Sequence, residues 1–199
     1  GAIHRGAALN RDAVQPVFAD QSFFASLRLE PYYLYTAERQ PAAREFLLAV
    51  VRDTGLNVHT LVHGDYSPKN ILVHAGRLVL LDHEVIHFGD PAFDLGFSLT
   101  HLLSKGHHLV SLRPAFRAAA AAYWTSYLDA LGDVPWRASL EARAARHTLG
   151  CLLARVCGRS PLEYLAPAER EAQRRAVLDL MAAPPARVFD LIDQFLDRM

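Results

Sequence analysis

The sequence predicts an α+β fold that is mainly α. Segments with helical hydrophobic spacing occupy residues 1–58 and 89–199, and a segment of short, β-branched runs lies between them at 59–88. Helices on both sides of a few strands are typical of α+β domains. Because 51% of the 199 residues are hydrophobic and no long linker interrupts them, we expect a single domain with one core.

The first 58 residues are predicted to form helices separated by turns. Pro31 and Pro41 each suit the first turn of a helix, where the backbone N–H has no intrahelical partner. An apolar stripe of helical spacing follows Pro41, and we expect Gly55 to end that helix. Five aromatic side chains of this part are expected in the core: Phe23, Phe24, Tyr32, Tyr33 and Phe46.

Residues 59–88 are predicted to contain short strands and to carry the unusual polar residues. Four runs have the composition of strands: HTLVH, NILVH, RLVLLD and EVIHF. Ala75 and Gly76 can form the turn between the second run and the third.

The remainder of the chain is predicted to be helical. Asp90 can cap a helix whose first residue is Pro91. Helices are expected at residues 92–103, 114–131, 135–157, 167–182 and 185–198. Cys151 and Cys157 are six residues apart on one of these helices and on different faces, so we expect two buried free thiols and no disulfide.

Composition and charge disfavour several classes of partner. The 21 basic and 21 acidic residues give a formal net charge of zero, with neither a basic stripe for nucleic acid nor an acidic tail. The longest apolar runs are far shorter than a membrane span, and the first residues have no signal-peptide pattern. We therefore expect a cytoplasmic protein without nucleic-acid or membrane partners.

The segment from His63 to Asn70 carries the most informative chemistry. Gly64 and Pro68 indicate a loop between strand-like runs, and Asp82 follows twelve residues after Asn70. A carboxylate in this loop can accept a proton from an attacking hydroxyl group. An amide oxygen and a second carboxylate can hold magnesium against a triphosphate. The pattern therefore favours phosphoryl transfer.

These motifs resemble those of the aminoglycoside phosphotransferase and choline kinase family. The resemblance rests on HGDYSPKN at 63–70, LDHE at 81–84 and GDPAFD at 89–94. It implies the C-terminal lobe of a protein-kinase-like fold, in which a small β-hairpin region carries the catalytic loop. It also implies a kinase that uses ATP (or GTP) and Mg²⁺ to phosphorylate a hydroxyl group of a small molecule.

The resemblance also implies roles for individual residues. Asp65 would be the catalytic base, and Lys69 would contact the transferring phosphate. Asn70 and Asp82 would bind the nucleotide through the metal, and Glu84 would assist that metal.

Three further residues would support the site. His63 would anchor the loop, Asp90 would cap the next helix, and Asp94 at that helix start would brace the catalytic loop through its backbone N–H groups. The sequence departs from the commoner family pattern at Ser67, where histidine is frequent, and at His83, where an aromatic residue is frequent. Neither change removes a catalytic group.

A competing motif overlaps this region. His83, Glu84 and His87 match H-E-x-x-H, the signature of zinc peptidases. That chemistry needs a helix, because residues four apart must face one metal. The segment follows an apolar run and leads into Gly89 and Pro91, so we expect it to be extended or irregular and not to bind zinc.

The sequence lacks two elements of a complete kinase of this kind. No glycine-rich strand–turn–strand precedes residue 60, and no lysine precedes Lys69. The resemblance therefore implies that the N-terminal ATP-clamping lobe is absent and that the chain alone is inactive. Apolar residues near Ile71, Leu72 and Leu80 are expected to face that lobe, or a second copy in a homodimer. The alternative is a partial kinase that acts only as a binding module.

The acceptor is not identified by the sequence. Arginines are as frequent as carboxylates in the helices after Pro135, which disfavours a polycationic aminoglycoside. Arg155 and residues 157–164 are candidates for the substrate pocket. An aromatic cage for a choline-like cation could come from Tyr123, Trp124, Tyr127 and Trp136, although core packing explains these residues more simply. A solvated face or a row of ion pairs is otherwise expected for the arginines with helical spacing, at positions 143, 146, 155 and 159.

Overall fold

A computed structural model describes residues 1–199 and contains four short strands within a mainly helical chain. The helices before the strands are α1 (Ala2–Leu9), α2 (Arg11–Val14), α3 (Ser22–Phe24), a π-helix (Ala25–Leu34), α4 (Tyr35–Arg39) and α5 (Arg44–Leu56). The strands are β1 (Thr60–Val62), β2 (Ile71–His74), β3 (Arg77–Leu80) and β4 (His87–Gly89). The helices after them are α6 (Ala92–His108), α7 (Arg113–Leu131), α8 (Arg137–Cys157), α9 (Pro167–Ala182) and α10 (Val188–Leu196). The predicted α+β, mainly α fold is confirmed.

Residues 22–39 form one continuous helical run whose middle part is the π-helix. Pro31 lies inside this π-helix, so its predicted place in a first turn is wrong. A proline lacks the N–H of the α-helical bond and its ring crowds the preceding turn, so an α-helix cannot pass through it unchanged. Pro41 opens a 3₁₀ turn that leads into α5, close to the predicted helix start.

The strands form two separate antiparallel pairs, β1 with β4 and β2 with β3. Ala75 and Gly76 join β2 to β3 and both have positive φ, +48° and +73°, as a two-residue type I′ turn requires. Of the run EVIHF only His87 and Phe88 lie in a strand, because residues 84 and 85 form a turn and β4 begins at His87.

The β2–β3 hairpin exposes apolar side chains on both of its faces. Leu72 and Val73 on one strand and Leu78 and Val79 on the other are all exposed. Of the three residues expected on an apolar surface, Leu72 is exposed, whereas Ile71 and Leu80 are only partly exposed. What covers the hairpin in a larger assembly stays a prediction.

The core lies where α6 packs between α7 and α8, with α9 and α10 closing it from outside. Helix α6 is five residues longer than predicted and ends at His108, and α10 begins three residues later than predicted, at Val188. Phe24, Tyr32 and Tyr33 are buried as expected, whereas Phe23 is 63% exposed and its predicted place in the core is wrong.

Two negative expectations can be compared with the structure directly. Both cysteines are free, and Cys151 is buried in α8 as predicted, whereas Cys157 at the end of that helix is only partly buried, so its predicted burial is wrong. None of the helices combines the length and the apolar character needed to cross a membrane.

Candidate active site

Residues 63–70 connect β1 to β2 and form the predicted catalytic loop. Strand β1 pairs with β4 in the register Val62↔His87. In this antiparallel pair the loop leaves β1 opposite His87, whereas β4 leads towards α6 opposite Thr60, and Asp94 in the first turn of α6 contacts the first residues of the loop. The loop therefore rests on a strand pair and on the first turn of the most buried helix.

Asp94, in the first turn of α6, holds the loop through two backbone hydrogen bonds. The N–H of His63 donates to Asp94 Oδ2 (2.8 Å) and the N–H of Gly64 donates to Oδ1 (2.9 Å). His4 of α1 lies 3.3 Å from the same carboxylate through Nε2. Burial acts to raise the pKa of Asp94, but the His4 contact and the two N–H bonds outweigh it and hold the pKa below its ordinary value. The bracing role expected for Asp94 agrees with these contacts.

Gly64 occupies a position that no side chain could share. Its φ is +78°, in the left-handed region, and a Cβ built on it would approach Val85 to 2.8 Å. The turn at residues 84–85 thus packs directly against the catalytic loop, and a glycine is required for both the conformation and the contact.

The ring of His63 links the loop to the segment that carries Asp82. Its Nδ1 accepts the N–H of Asp65 (3.2 Å), and its Nε2 donates to the carbonyl of Leu81 (3.0 Å). These partners assign the ring proton to Nε2, because a carbonyl oxygen can only accept. His63 is therefore an anchor of the loop, as the family resemblance implies.

Asn70 and Asp82 are brought together by the ends of the β2–β3 hairpin. The amide Nδ2 of Asn70 donates to the backbone carbonyl of Asp65 (2.9 Å), which fixes the orientation of its side chain. The N–H of Leu81 donates to the carbonyl of Asn70 (2.9 Å), so Asp82 follows immediately after a residue bonded to Asn70. Asp82 is exposed and has φ +65°, an uncommon conformation that occurs preferentially at functional positions.

Asp65 is buried in the loop and pairs with two cations. Its Oδ2 lies 3.2 Å from Nη2 of Arg28 and 3.3 Å from Nζ of Lys69. Arg28 comes from the π-helix and also donates from Nε to the carbonyl of Gly64 (2.7 Å). The arginine thus holds both the backbone and the carboxylate of the loop, whereas the exposed Lys69 meets the carboxylate from solvent.

Asp90 is fully buried below the site. It accepts hydrogen bonds from Nε of Arg143 (3.0 Å) and from the N–H of Ala92 (3.0 Å). Burial raises the pKa of Asp90 to about 6, and the Arg143 charge opposes that rise only in part. Asp90 was predicted as the N-cap of a helix that begins at Pro91, but the helix begins at Ala92 and Pro91 is its N-cap; the Asp90 carboxylate accepts the N–H of Ala92 from one residue further back.

The residues of the zinc motif are not on a helix. His83 and Glu84 are exposed, and the chain turns at residues 84–85. His87 is buried in β4, where its ring stacks on Phe24 at 4.0 Å and its Nδ1 donates to the carbonyl of Val85. The expectation that this segment is irregular or extended is confirmed, and the H-E-x-x-H geometry is not formed.

Three residues that support the site were not recognised in the sequence. Arg28 is a single basic residue in a helical segment rich in aromatic residues, and no local sequence pattern indicates that it contacts the site. The Nδ1 atom of His4 lies 2.9 Å from the hydroxyl of Tyr127, which is 123 residues away in the sequence. His4 therefore connects Asp94 to Tyr127. Arg143 was expected on a solvated face or in a row of ion pairs, but it is buried against Asp90 because α8 packs on α6.

Comparison with known proteins identifies the family of the chain. The model of a phosphotransferase enzyme family, APH, matches residues 15–140, which is more than half of the chain. The matched range contains the catalytic loop, the hairpin and the start of α6. A search of curated proteins found no significant match. The family model and the arrangement of the loop agree, and the chain belongs to the phosphotransferase enzyme family.

Proposed function

We propose that the protein is a small-molecule kinase, which transfers the γ-phosphate of ATP or GTP to a hydroxyl group. The observation that carries the proposal is the His63 ring, which joins the N–H of Asp65 to the carbonyl of Leu81, next to Asp82. Phosphoryl transfer requires a proton acceptor for the attacking hydroxyl and ligands for the metal that binds the phosphates. Here both lie on chain segments that are fixed to each other.

In this proposal Asp65 is the general base. Its Oδ2 is occupied by Arg28 and Lys69, which leaves Oδ1 for the hydroxyl of the acceptor. As the hydroxyl oxygen forms its bond to the γ-phosphorus, the bond from that phosphorus to the β-γ bridging oxygen breaks and the nucleoside diphosphate leaves. The hydroxyl proton passes to Asp65. Lys69, held at the base, is near enough in sequence and space to contact the transferred group.

The donor set of Asn70 and Asp82 fits magnesium. The Nδ2 group of Asn70 is used on the backbone of Asp65, so its Oδ1 remains an acceptor, and Asp82 contributes a solvent-facing carboxylate. No three His, Cys, Asp or Glu side chains group into a site of their own. One carboxylate and one amide, completed by phosphates and water, is a usual magnesium arrangement, and Glu84 can hold one of those waters. Bound there, Mg²⁺ would neutralise charge on the phosphates.

A paramagnetic titration of the 199-residue chain tests this assignment without requiring turnover. Mn²⁺ with ATP should broaden the amide NMR signals of residues 65–70 and 82–84 first. Asp82→Asn should reduce that broadening by about tenfold at equal Mn²⁺, the scale for loss of one charged ligand contact. Asp129→Asn removes an exposed carboxylate of α7 and should leave the pattern unchanged.

The outcome that contradicts the proposal is specific. If Mn²⁺ with ATP broadened signals elsewhere, or if the Asp82 and Asp129 variants behaved alike, the metal–nucleotide site would not be at Asn70 and Asp82. The chain would then have no identified site for the phosphoryl donor, and the kinase assignment would lose its support.

A further inference from the structure

The surroundings of Asp65 carry a surplus of positive charge. Arg28 and Lys69 contact the carboxylate itself. Beyond them, Arg155 of α8 and Lys105 of α6 form no salt bridge, and each packs on an aromatic ring instead. The guanidinium of Arg155 lies 5.4 Å from the Tyr32 ring centre, and Nζ of Lys105 lies 3.7 Å from that of Tyr164.

These groups line one continuous wall. Phe97, His101 and Lys105 follow one another at intervals of four residues on α6, so they share a face and span about 12 Å. The ring of Phe97 contacts the rings of Tyr32 (5.6 Å) and His101 (5.3 Å), and Arg155 also lies over Phe97 at 5.7 Å. Tyr32 is one turn from Arg28 on the π-helix, which connects the wall to the catalytic loop.

Two polar atoms on this wall are buried without a hydrogen-bond partner in the chain, Nε of Arg155 and Nε2 of His101. Leaving such a group unsatisfied is unfavourable, so proteins seldom do it away from ligand sites. Burial and then the charge of Arg155 lower the pKa of His101 to about 4, with Lys69 and Lys105 adding to the effect and Asp65 opposing it. His101 is therefore neutral at pH 7 and offers hydrogen bonding without charge.

Two nearby carboxylates are already compensated. Glu30 pairs with Arg159 (3.6 Å). Glu169 pairs with His108 (3.0 Å) and accepts the N–H of Ala166. Asp65 thus lies among four cations that have no other acidic partner. A cationic acceptor would meet repulsion here, whereas an anionic one would find partners.

We propose that the hydroxyl acceptor is an anion, whose carboxylate or phosphate group pairs with Arg155 and Lys105 while its hydroxyl lies against Asp65. The inference rests on the proposed function, because it assigns the acceptor side of the same site. Arg155 suits the role, since its guanidinium is held over the Tyr32 and Phe97 rings and by a hydrogen bond from Nη1 to the carbonyl of Ser160 (2.8 Å), which leaves Nη2 to bind an oxyanion.

Binding of four small probes to the 199-residue chain tests this. Glycerate and glycerol 3-phosphate carry a hydroxyl with a carboxylate or a phosphate, glycerol is neutral and choline is a cation. NMR titration should show at least one anion perturbing signals of Tyr32, His101 and Arg155, with affinity at least tenfold above that of glycerol and choline. Comparison of the two anions distinguishes a carboxylate site from a phosphate site.

Variants separate charge from structure. Arg155→Gln and Lys105→Gln should each weaken the preferred anion by about ten- to a hundredfold, and Arg155→Lys should retain part of the affinity. Arg175→Gln, which removes an exposed arginine of α9, should have no effect. If Arg155→Gln unfolds, as its melting curve would reveal, Lys105→Gln decides the question because Lys105 is partly exposed.

The result that overturns the inference is equal or weaker binding of both anions relative to glycerol and choline, or binding unaffected by either variant. The Mn²⁺–ATP titration is independent of these probes. Asp82-dependent metal binding without anion selectivity would refute only the anionic acceptor, whereas anion binding at Arg155 without a metal site at Asp82 would refute the kinase function.

Discussion

The bracing of the catalytic loop by Asp94 leads to a quantitative prediction for Asp94→Asn. Asparagine retains one oxygen, which can accept one of the two loop N–H groups, but its amide NH₂ then faces the other. One charge-assisted hydrogen bond is lost and one buried N–H is left without an acceptor, for a total of about 3 kcal/mol. For a chain of this size the midpoint of thermal unfolding should fall by about 6–12 °C.

The assay is urea unfolding followed by circular dichroism, with amide hydrogen exchange at His63 and Gly64 as a local measurement. Both amides should exchange faster in Asp94→Asn than global destabilisation alone explains. Asp129→Asn, on the surface of α7, should stay within about 0.5 kcal/mol of the parent chain. A loss below about 0.5 kcal/mol in Asp94→Asn, with unchanged exchange at the two amides, would refute the bracing argument.

The pH dependence supplies a second check on Asp94. Its folded pKa lies below the ordinary value of 3.8, so the unfolded chain takes up this proton first as the pH falls. The stabilisation is therefore complete above about pH 4 and is lost as the pH falls through the folded pKa. Asp94→Asn should remove this part of the acid-induced loss, and an unchanged acid profile would contradict the assignment.

Four further predictions follow from individual contacts. The pH dependence due to Asp90 has the opposite sign to that of Asp94, because the pKa of Asp90 is raised from 3.8 to about 6. The free energy of unfolding should fall by about 3 kcal/mol as the pH rises through that window. Urea unfolding at each pH should show this fall in the parent chain and not in Asp90→Asn. The positive φ of Ala75 is unfavourable by about 1 kcal/mol, and Ala75→Gly should remove this strain and slow amide exchange across β2 and β3. Faster exchange would contradict this. Arg28→Gln should speed amide exchange at Gly64 and leave the broadening of NMR signals by Mn²⁺ with ATP unchanged. Altered broadening would show that Arg28 acts on the metal–nucleotide site. In an active form of the enzyme, Asp65→Asn should lower the transfer rate by about 10²–10⁴ at unchanged nucleotide affinity, and a matching loss of affinity would contradict its role as base.

The expected inactivity of the isolated chain remains a prediction, and so does a homodimer through the β2–β3 hairpin. Nucleotide turnover by the chain alone, and its molar mass in solution, are the measurements that decide them.

Local chemistry was enough to predict much of this protein. The helical and strand-like segments follow from hydrophobic spacing, and Gly64 and Gly76 mark turns because few side chains tolerate such backbone conformations. The catalytic loop was recognisable because its functional residues lie within eight positions of each other. Strands shorter than expected, such as β4, show where tertiary packing overrode a composition that favoured extension.

The tertiary structure alone decided which distant side chains hold and charge the site. Arg28, His4 and Arg143 look like ordinary surface or helical residues in the sequence, and each becomes part of the site because of a partner at least 36 positions away. The cationic wall is a clearer case, since Arg155 and Lys105 lie on different helices. The role of a charged residue depends on which carboxylates lie near it, and its neighbours in the sequence do not show this. Here the packing of α6 against α8 and the π-helix determines it.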